Sequence, residues 1–250
     1  MKPALSDKSL RYPCSWNELP CGEAIKQGVE QTLEDISRQF FGYHLVKLGA
    51  LSSEIELPQV TIRHQVNHIK SLEVASQVEN THVIGTTSSL PYQENSVDTF
   101  ILSHELDYAQ DPHQILREVD RCIIANGHVV VSGFNPFSFA GMATWLPFKK
   151  ANLIHDARFF SCLRIKDWLQ LLGFEIILER KLVFSELLFE RKLDLESPLQ
   201  RWMQRNMGFF GTVYVLVGKK REQPLSIIKP KWKRVPKFTT VGASMKESTQ

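Results

Sequence analysis

Residues 97–134 leave few folds open to this chain. VDTFILSH (97–104) is almost continuously apolar, as a strand covered on both faces must be. DPHQILREVDRCIIANG follows. Asp111 is placed to cap a helix N-terminus and Pro112 to take its first position, while Ile115, Leu116, Val119 and Ile123 form a buried stripe that Gly127 closes. VVVSGF (129–134) then reads as the next strand. A strand, a helix and a second strand in this order predict a parallel pair with its crossover helix.

The rest of the chain repeats the alternation. Ile25, Val29, Leu33, Ile36 and Phe40 mark an amphipathic helix over 23–41, and LVKLG (45–49) follows as a first strand. VTIRHQV (60–66) and HVIGT (82–86) read as a second and a third. A helix is predicted from Ser161 to Leu172, stopped by Gly173, then the strand FEIILERKLVF and a last strand, TVYVLVG (212–218). The pattern predicts an α/β fold, a mostly parallel sheet with helices on both faces. The last two strands, joined by a helical segment around 186–206, are expected to form an antiparallel edge.

Charge is unevenly spread. From Lys219 to the end there are nine Lys or Arg against two Glu, a net of +7, so residues 1–218 sum to about −4. The expected organisation is an N-terminal extension (1–22), one domain (23–220) and a basic, disordered tail (221–250). The tail is the one route expected toward nucleic acid or an anionic surface. The uncharged stretch Cys122–Phe148 is long enough to raise a membrane span, but Asn126, Gly127, His128, Asn135 and Pro136 break it, and no span is expected. The first residues lack a secretory pattern, and the four cysteines have neither metal-ligand spacing nor the density of a disulfide scaffold. A reducing, cytoplasmic setting without bound metal is expected.

The segment from Leu90 to Pro136 resembles the central block of the class I S-adenosylmethionine-dependent methyltransferases, the type 11-like group that includes quinone and other small-molecule methyltransferases. The matching features are the turn Leu90, Pro91 and Tyr92, then Asp98 near the start of a strand, then Leu116, Glu118 and Arg121 on the helix, and Gly127. The likeness continues through IKDWLQLLGFEI and covers about residues 40–218. It implies a Rossmann-like seven-stranded, mostly parallel sheet with helices on both faces and an antiparallel C-terminal strand. It also implies S-adenosylmethionine as cofactor and a small or lipophilic methyl acceptor.

On the same resemblance the cofactor contacts fall on Leu48, Gly49, Thr86, Ser88, Leu90, Ser103, His104 and Glu105, with His104 the candidate acid, base or orienting group and Glu105 the acid to answer the ligand ammonium. The chain departs from the family pattern at several points. Leu51 and Ser53 replace the second and third loop glycines, and Leu51 is expected to hinder close backbone approach. Lys47 replaces the acid before the loop; it either meets the ligand or lays its stem along apolar surface away from it. His64, Gln65, Val66 and Asn67 stand where the ribose-binding acid is expected, and Thr86 where an adenine-facing Asp is. These departures set a second expectation beside the enzyme, a catalytically degenerate methyltransferase-like binding or regulatory protein. After the fifth strand GFNPFS, with Phe137, Phe139, Met142, Trp145 and Phe148, is expected to form an apolar loop over the cleft mouth.

Overall fold

The computed structural model describes residues 11–70, 81–138, 153–182, 211–221 and Gly242. The expected segment around 186–206, Phe139 to Phe148, and the tail beyond Arg221 apart from Gly242 lie outside the described residues.

The elements are α1 (Gly22–Ser37), β1 (His44–Leu48), the single turn α2 (Ala50–Ser53), β2 (His64–Ile69), β3 (Thr81–Ile84), β4 (Val97–Ser103), α3 (Pro112–Cys122), β5 (Ile123–Phe134), α4 (Cys162–Leu171), β6 (Phe174–Leu182) and β7 (Val213–Lys220). They build a seven-stranded sheet in the order β3-β2-β1-β4-β5-β7-β6. The first five strands run parallel, and β7 pairs antiparallel with both β5 and β6. The antiparallel edge thus involves β7 inserted between β5 and β6 rather than a strand added outside them.

Strand alternation assigns the core to two layers. Val46, Leu48, Phe100, Leu102, Val129 and Val131 face α3 and α4 on one side. Leu45, Ile101 and Val130 face the α1 residues Ile25, Val29 and Leu33 on the other. The Asp111 side chain caps α3 by accepting from Gln114 N at 3.1 Å, and the Ser161 hydroxyl caps α4.

Three elements show the shifts from the sequence expectation that matter most. Helix α1 stops at Ser37 because the chain turns to drive Phe40 into the core. Helix α3 stops at Cys122, since Ile123 already pairs with Val97, and the Asn126–Gly127 turn becomes an irregularity inside β5. Strand β2 spans His64–Ile69 instead of 60–66. Val60 and Ile62 keep a period of two with Val66 but precede the strand, and it is parallel pairing of His64 to His68 with His44 to Leu48 that fixes its position.

Candidate functional site

Sheet order reverses between β1 and β4, and the carboxyl ends of those strands are where an open α/β sheet receives its ligands. Leu48 ends β1 inside the core. Gly49 follows with φ of 88°, its N–H bonded to His68 O at 2.8 Å and its carbonyl accepting from Ser53 N at 3.1 Å. The loop then packs inward. Leu51 is buried with Trp16, Ile25 and Ile55, and its carbonyl accepts from Trp16 Nε1 at 2.8 Å. Its bulk therefore goes into the core, and the expected obstruction at the cleft does not arise. The Ser52 hydroxyl accepts from Ser103 N at 2.7 Å, tying the loop to the end of β4.

Glu105, just past β4, is fully buried. One carboxylate oxygen accepts from the Thr87 hydroxyl at 2.8 Å and pairs with Lys70 Nζ at 2.9 Å, while the other accepts from the Tyr12 hydroxyl. Lys70 Nζ also lies 4.5 Å over the Tyr12 ring. A Cβ on Gly49 would collide with both the Tyr12 hydroxyl and the Glu105 carboxylate, so the glycine is what lets this cluster press against the β1 turn. Burial, reinforced by the Glu105 charge, pushes the Tyr12 hydroxyl well above its ordinary pKa and keeps it a donor.

Thr87 rather than Thr86 faces this cluster; Thr86 and Ser88 are exposed. Leu90 is buried, and its backbone is already engaged. Its N–H donates to Glu118 Oε2 at 2.9 Å and its carbonyl accepts from Arg121 Nη2 at 3.0 Å, while Arg121 Nη1 donates to Tyr92 O at 3.0 Å. The Glu118 and Arg121 pair thus clamps the Leu90–Tyr92 turn, which explains physically why those motifs accompany one another. Asp98 has an equally structural task, accepting from Tyr43 N and His44 N at 2.8 Å each to start β1.

His104 takes a left-handed φ of 56° and is fully buried between Trp16 and Phe134, with ring centroids at 5.5 and 4.1 Å. Its Nδ1 lies 2.8 Å from Asp107 Oδ2, which also accepts from Phe134 N at 3.0 Å. Burial holds the Asp107 carboxyl above its ordinary range, partly offset by the His104 hydrogen bond. When Asp107 is ionised it can only accept, and Nδ1 is then the donor of this pair. Among the described residues Nε2 has no hydrogen-bond partner.

Lys47 takes the second of its two expected placements. It lies on the α1 side of the sheet, and its amine donates to Ile55 O at 2.7 Å. The end of β2 is not His64 to Asn67 but Ile69, so Lys70 stands where the ribose-binding acid was sought. Sequence reading missed Tyr12, Lys70, Thr87 and Asp107. Of these, Asp107 alone carried a signal, three residues beyond His104. A separate cavity of about 310 Å³, between α1 and residues 56–58, includes none of these residues.

The protein YafS of Escherichia coli (strain K12), itself described as uncharacterized, is 32% identical over 228 residues, 91% of this chain and 89% of that protein. The family model described as Methyltransferase domain matches residues 59–131. The chain belongs to one family with YafS, and its central segment is a methyltransferase domain of the class I S-adenosylmethionine-dependent type. Solved structures share the methyltransferase's fold. One from Thermotoga maritima, described as a possible histamine N-methyltransferase, has a TM-score of 0.55 at 18% identity and covers 82% of this chain and 99% of its own. Another, from Archaeoglobus fulgidus, has a TM-score of 0.54 at 16% identity, covering 78% and 94%.

S-adenosylmethionine is the cofactor of the methyltransferases that share this fold, and its amino-acid end calls for an acid such as the one this chain carries at the switch point, Glu105. The buried Glu105 carboxylate is the kind of group that partners an ammonium, while the space beside the Gly49 Cα is taken by the Tyr12 hydroxyl and Glu105 itself. Lys70, just after β2, offers donors only and reaches to 2.9 Å from that same Glu105 carboxylate.

Proposed function

We propose that this methyltransferase acts on a small or lipophilic acceptor whose nucleophilic atom is oriented, and whose proton is accepted, by His104. The observation that carries the reading is the His104–Asp107 pair at the end of β4, with an unpartnered Nε2 among the described residues in an aromatic setting. A histidine serving only the core would be expected to use both ring nitrogens, because a buried polar atom without a partner costs about 1–3 kcal/mol.

When bound, S-adenosylmethionine supplies a methyl group on a sulfonium, ready for in-line displacement. The chain's residues then have three tasks. Glu105 and the Gly49 turn hold the amino-acid end, and Trp16 and Phe134 exclude water around the imidazole. His104 takes the acceptor's proton at Nε2 while Asp107 fixes the tautomer and stabilises the imidazolium. The aromatic walls favour an acceptor with an apolar body, and alignment of the two reacting atoms contributes much of the rate.

The test combines calorimetric titration with S-adenosylmethionine and transfer of labelled methyl to the small-molecule and lipid fractions of a cell extract. Label is expected in a low-mass product. His104→Asn should slow transfer by about 10²–10⁴-fold while cofactor affinity stays within a few-fold. Wild-type transfer rates in that variant would remove the proposed role of His104. Absence of both binding and transfer would leave the catalytically degenerate binding protein as the reading.

A further inference from the structure

Resting on the cofactor placement above, we propose that the Lys70–Glu105 ion pair is an internal stand-in for the zwitterionic head of S-adenosylmethionine. On binding, Glu105 turns to the ligand ammonium and the released Lys70 takes the ligand carboxylate.

Three observations support the exchange. First, Glu105 is fully buried just past the tip of β4 and is already paired with a cation, Lys70 Nζ sitting 2.9 Å from its carboxylate. A buried carboxylate left without a cation would be strongly unfavourable. Second, the partner cation comes from the end of β2, where the family places an acid for the ribose hydroxyls. A lysine has three donors and no acceptor, so it cannot replace that acid in kind and is available for an anion. Third, the Lys70 side chain is 39% exposed, reaching Glu105 from the rim of the cleft with its amine over the Tyr12 ring. A flexible stem anchored at the rim can turn a short way to a new partner without leaving the site.

Charge balance sets the direction of the inference. An incoming ammonium that displaced Lys70 without offering anything in return would leave two cations facing one carboxylate in a poorly hydrated cleft. An amino acid head brings a carboxylate with its ammonium, so Glu105, Lys70 and the two charges of the head all have an opposite partner after the exchange. Lys70 is therefore assigned as a binding residue for the cofactor carboxylate, and the absence of the ribose acid belongs to the same change.

The discriminating pair of ligands is S-adenosylmethionine and decarboxylated S-adenosylmethionine, which share adenosine, sulfonium and ammonium and differ in the carboxylate. Calorimetry on the full chain is expected to show the wild type preferring S-adenosylmethionine by about 10–100-fold, the range of a charge-assisted contact. In Lys70→Met that preference should fall to a few-fold through weaker binding of S-adenosylmethionine, with the decarboxylated ligand held as well as before or better. Lys70→Arg, which keeps the cation, should retain most of the preference. If Lys70→Met binds S-adenosylmethionine as tightly as the wild type or more tightly, Lys70 only competes for Glu105 and the proposal is overturned while the cofactor assignment stands. Failure of the wild type to bind either ligand overturns both.

Discussion

The residue that departs most sharply from its family has the plainest physical account. Lys47 occupies the position of an acid, yet its amine is turned to the α1 layer, bonded to Ile55 O and facing Glu56 and Glu30. Burial lowers its pKa to about 8, against the partial compensation of those two carboxylates. An unfolded lysine titrates near 10.4, so between about pH 8 and pH 10 the unfolded chain holds more protons than the folded one, and stability rises with pH across that window. The contribution amounts to about 3 kcal/mol at its upper end. Urea unfolding of wild type and Lys47→Met at pH 7 and pH 10 isolates it, because the other titrating groups are common to both. The wild type should gain about 3 kcal/mol relative to the variant on going to pH 10; a difference independent of pH would refute the buried, charged lysine. Gly49 is a second position where one atom decides the outcome. A Cβ there would meet Tyr12 and Glu105, and φ of 88° disfavours any side chain, so Gly49→Ala should cost more than about 1 kcal/mol and displace Tyr12. Loss of stability in that variant, measured by urea and compared with Gly49→Ala in a Tyr12→Phe background, should shrink if the hydroxyl is part of the collision.

At the scale of elements, the sequence was legible wherever a local pattern has one physical solution. Asp111 with Pro112 can only start a helix, and VDTFILS can only lie inside a sheet, and both stand as expected. Boundaries failed where two placements satisfy the same pattern and a distant strand chooses between them, as for β2, whose register is set by β1. That slip had a functional consequence, since the wrong strand end concealed Lys70. The Leu90–Tyr92 turn shows the opposite case. Its companions Glu118 and Arg121 were recognised by resemblance, and the structure supplies the reason, because together they satisfy the backbone of Leu90 and the carbonyl of Tyr92. Arg121→Met would take the Arg121 donors from Leu90 O and from Tyr92 O, the latter keeping only the weak Cys122 thiol, and should cost about 1–3 kcal/mol in urea unfolding. Hydrogen exchange should quicken over residues 88–93 before it does in β4. Unchanged exchange in that turn would show that the clamp is dispensable.

At the scale of the whole molecule, the site draws on parts of the chain that no spacing rule connects. Tyr12 and Glu105 are 93 positions apart, and it is the reversal of sheet order between β1 and β4 that brings the N-terminal segment and the end of β4 to one point. Residues 11–22 lie against the β1 turn, with Trp16 fully buried and Leu19 in the same core layer as α1. The expected domain boundary at residue 23 would cut through this packing. We propose instead that the folding unit begins by residue 11. Two shortened chains, one lacking residues 1–10 and the other lacking 1–22, share everything except Tyr12, Trp16, Leu19 and their neighbours. Loss of the Trp16 side chain alone is expected to cost about 3–5 kcal/mol, so the shorter chain should unfold at lower urea concentration by at least that free-energy difference. It should also bind S-adenosylmethionine differently, since Tyr12 no longer shares the Glu105 carboxylate and Trp16 no longer covers His104. Equal midpoints and equal affinities in the two chains would place the boundary at residue 23 and reduce the N-terminal segment to a passive cover.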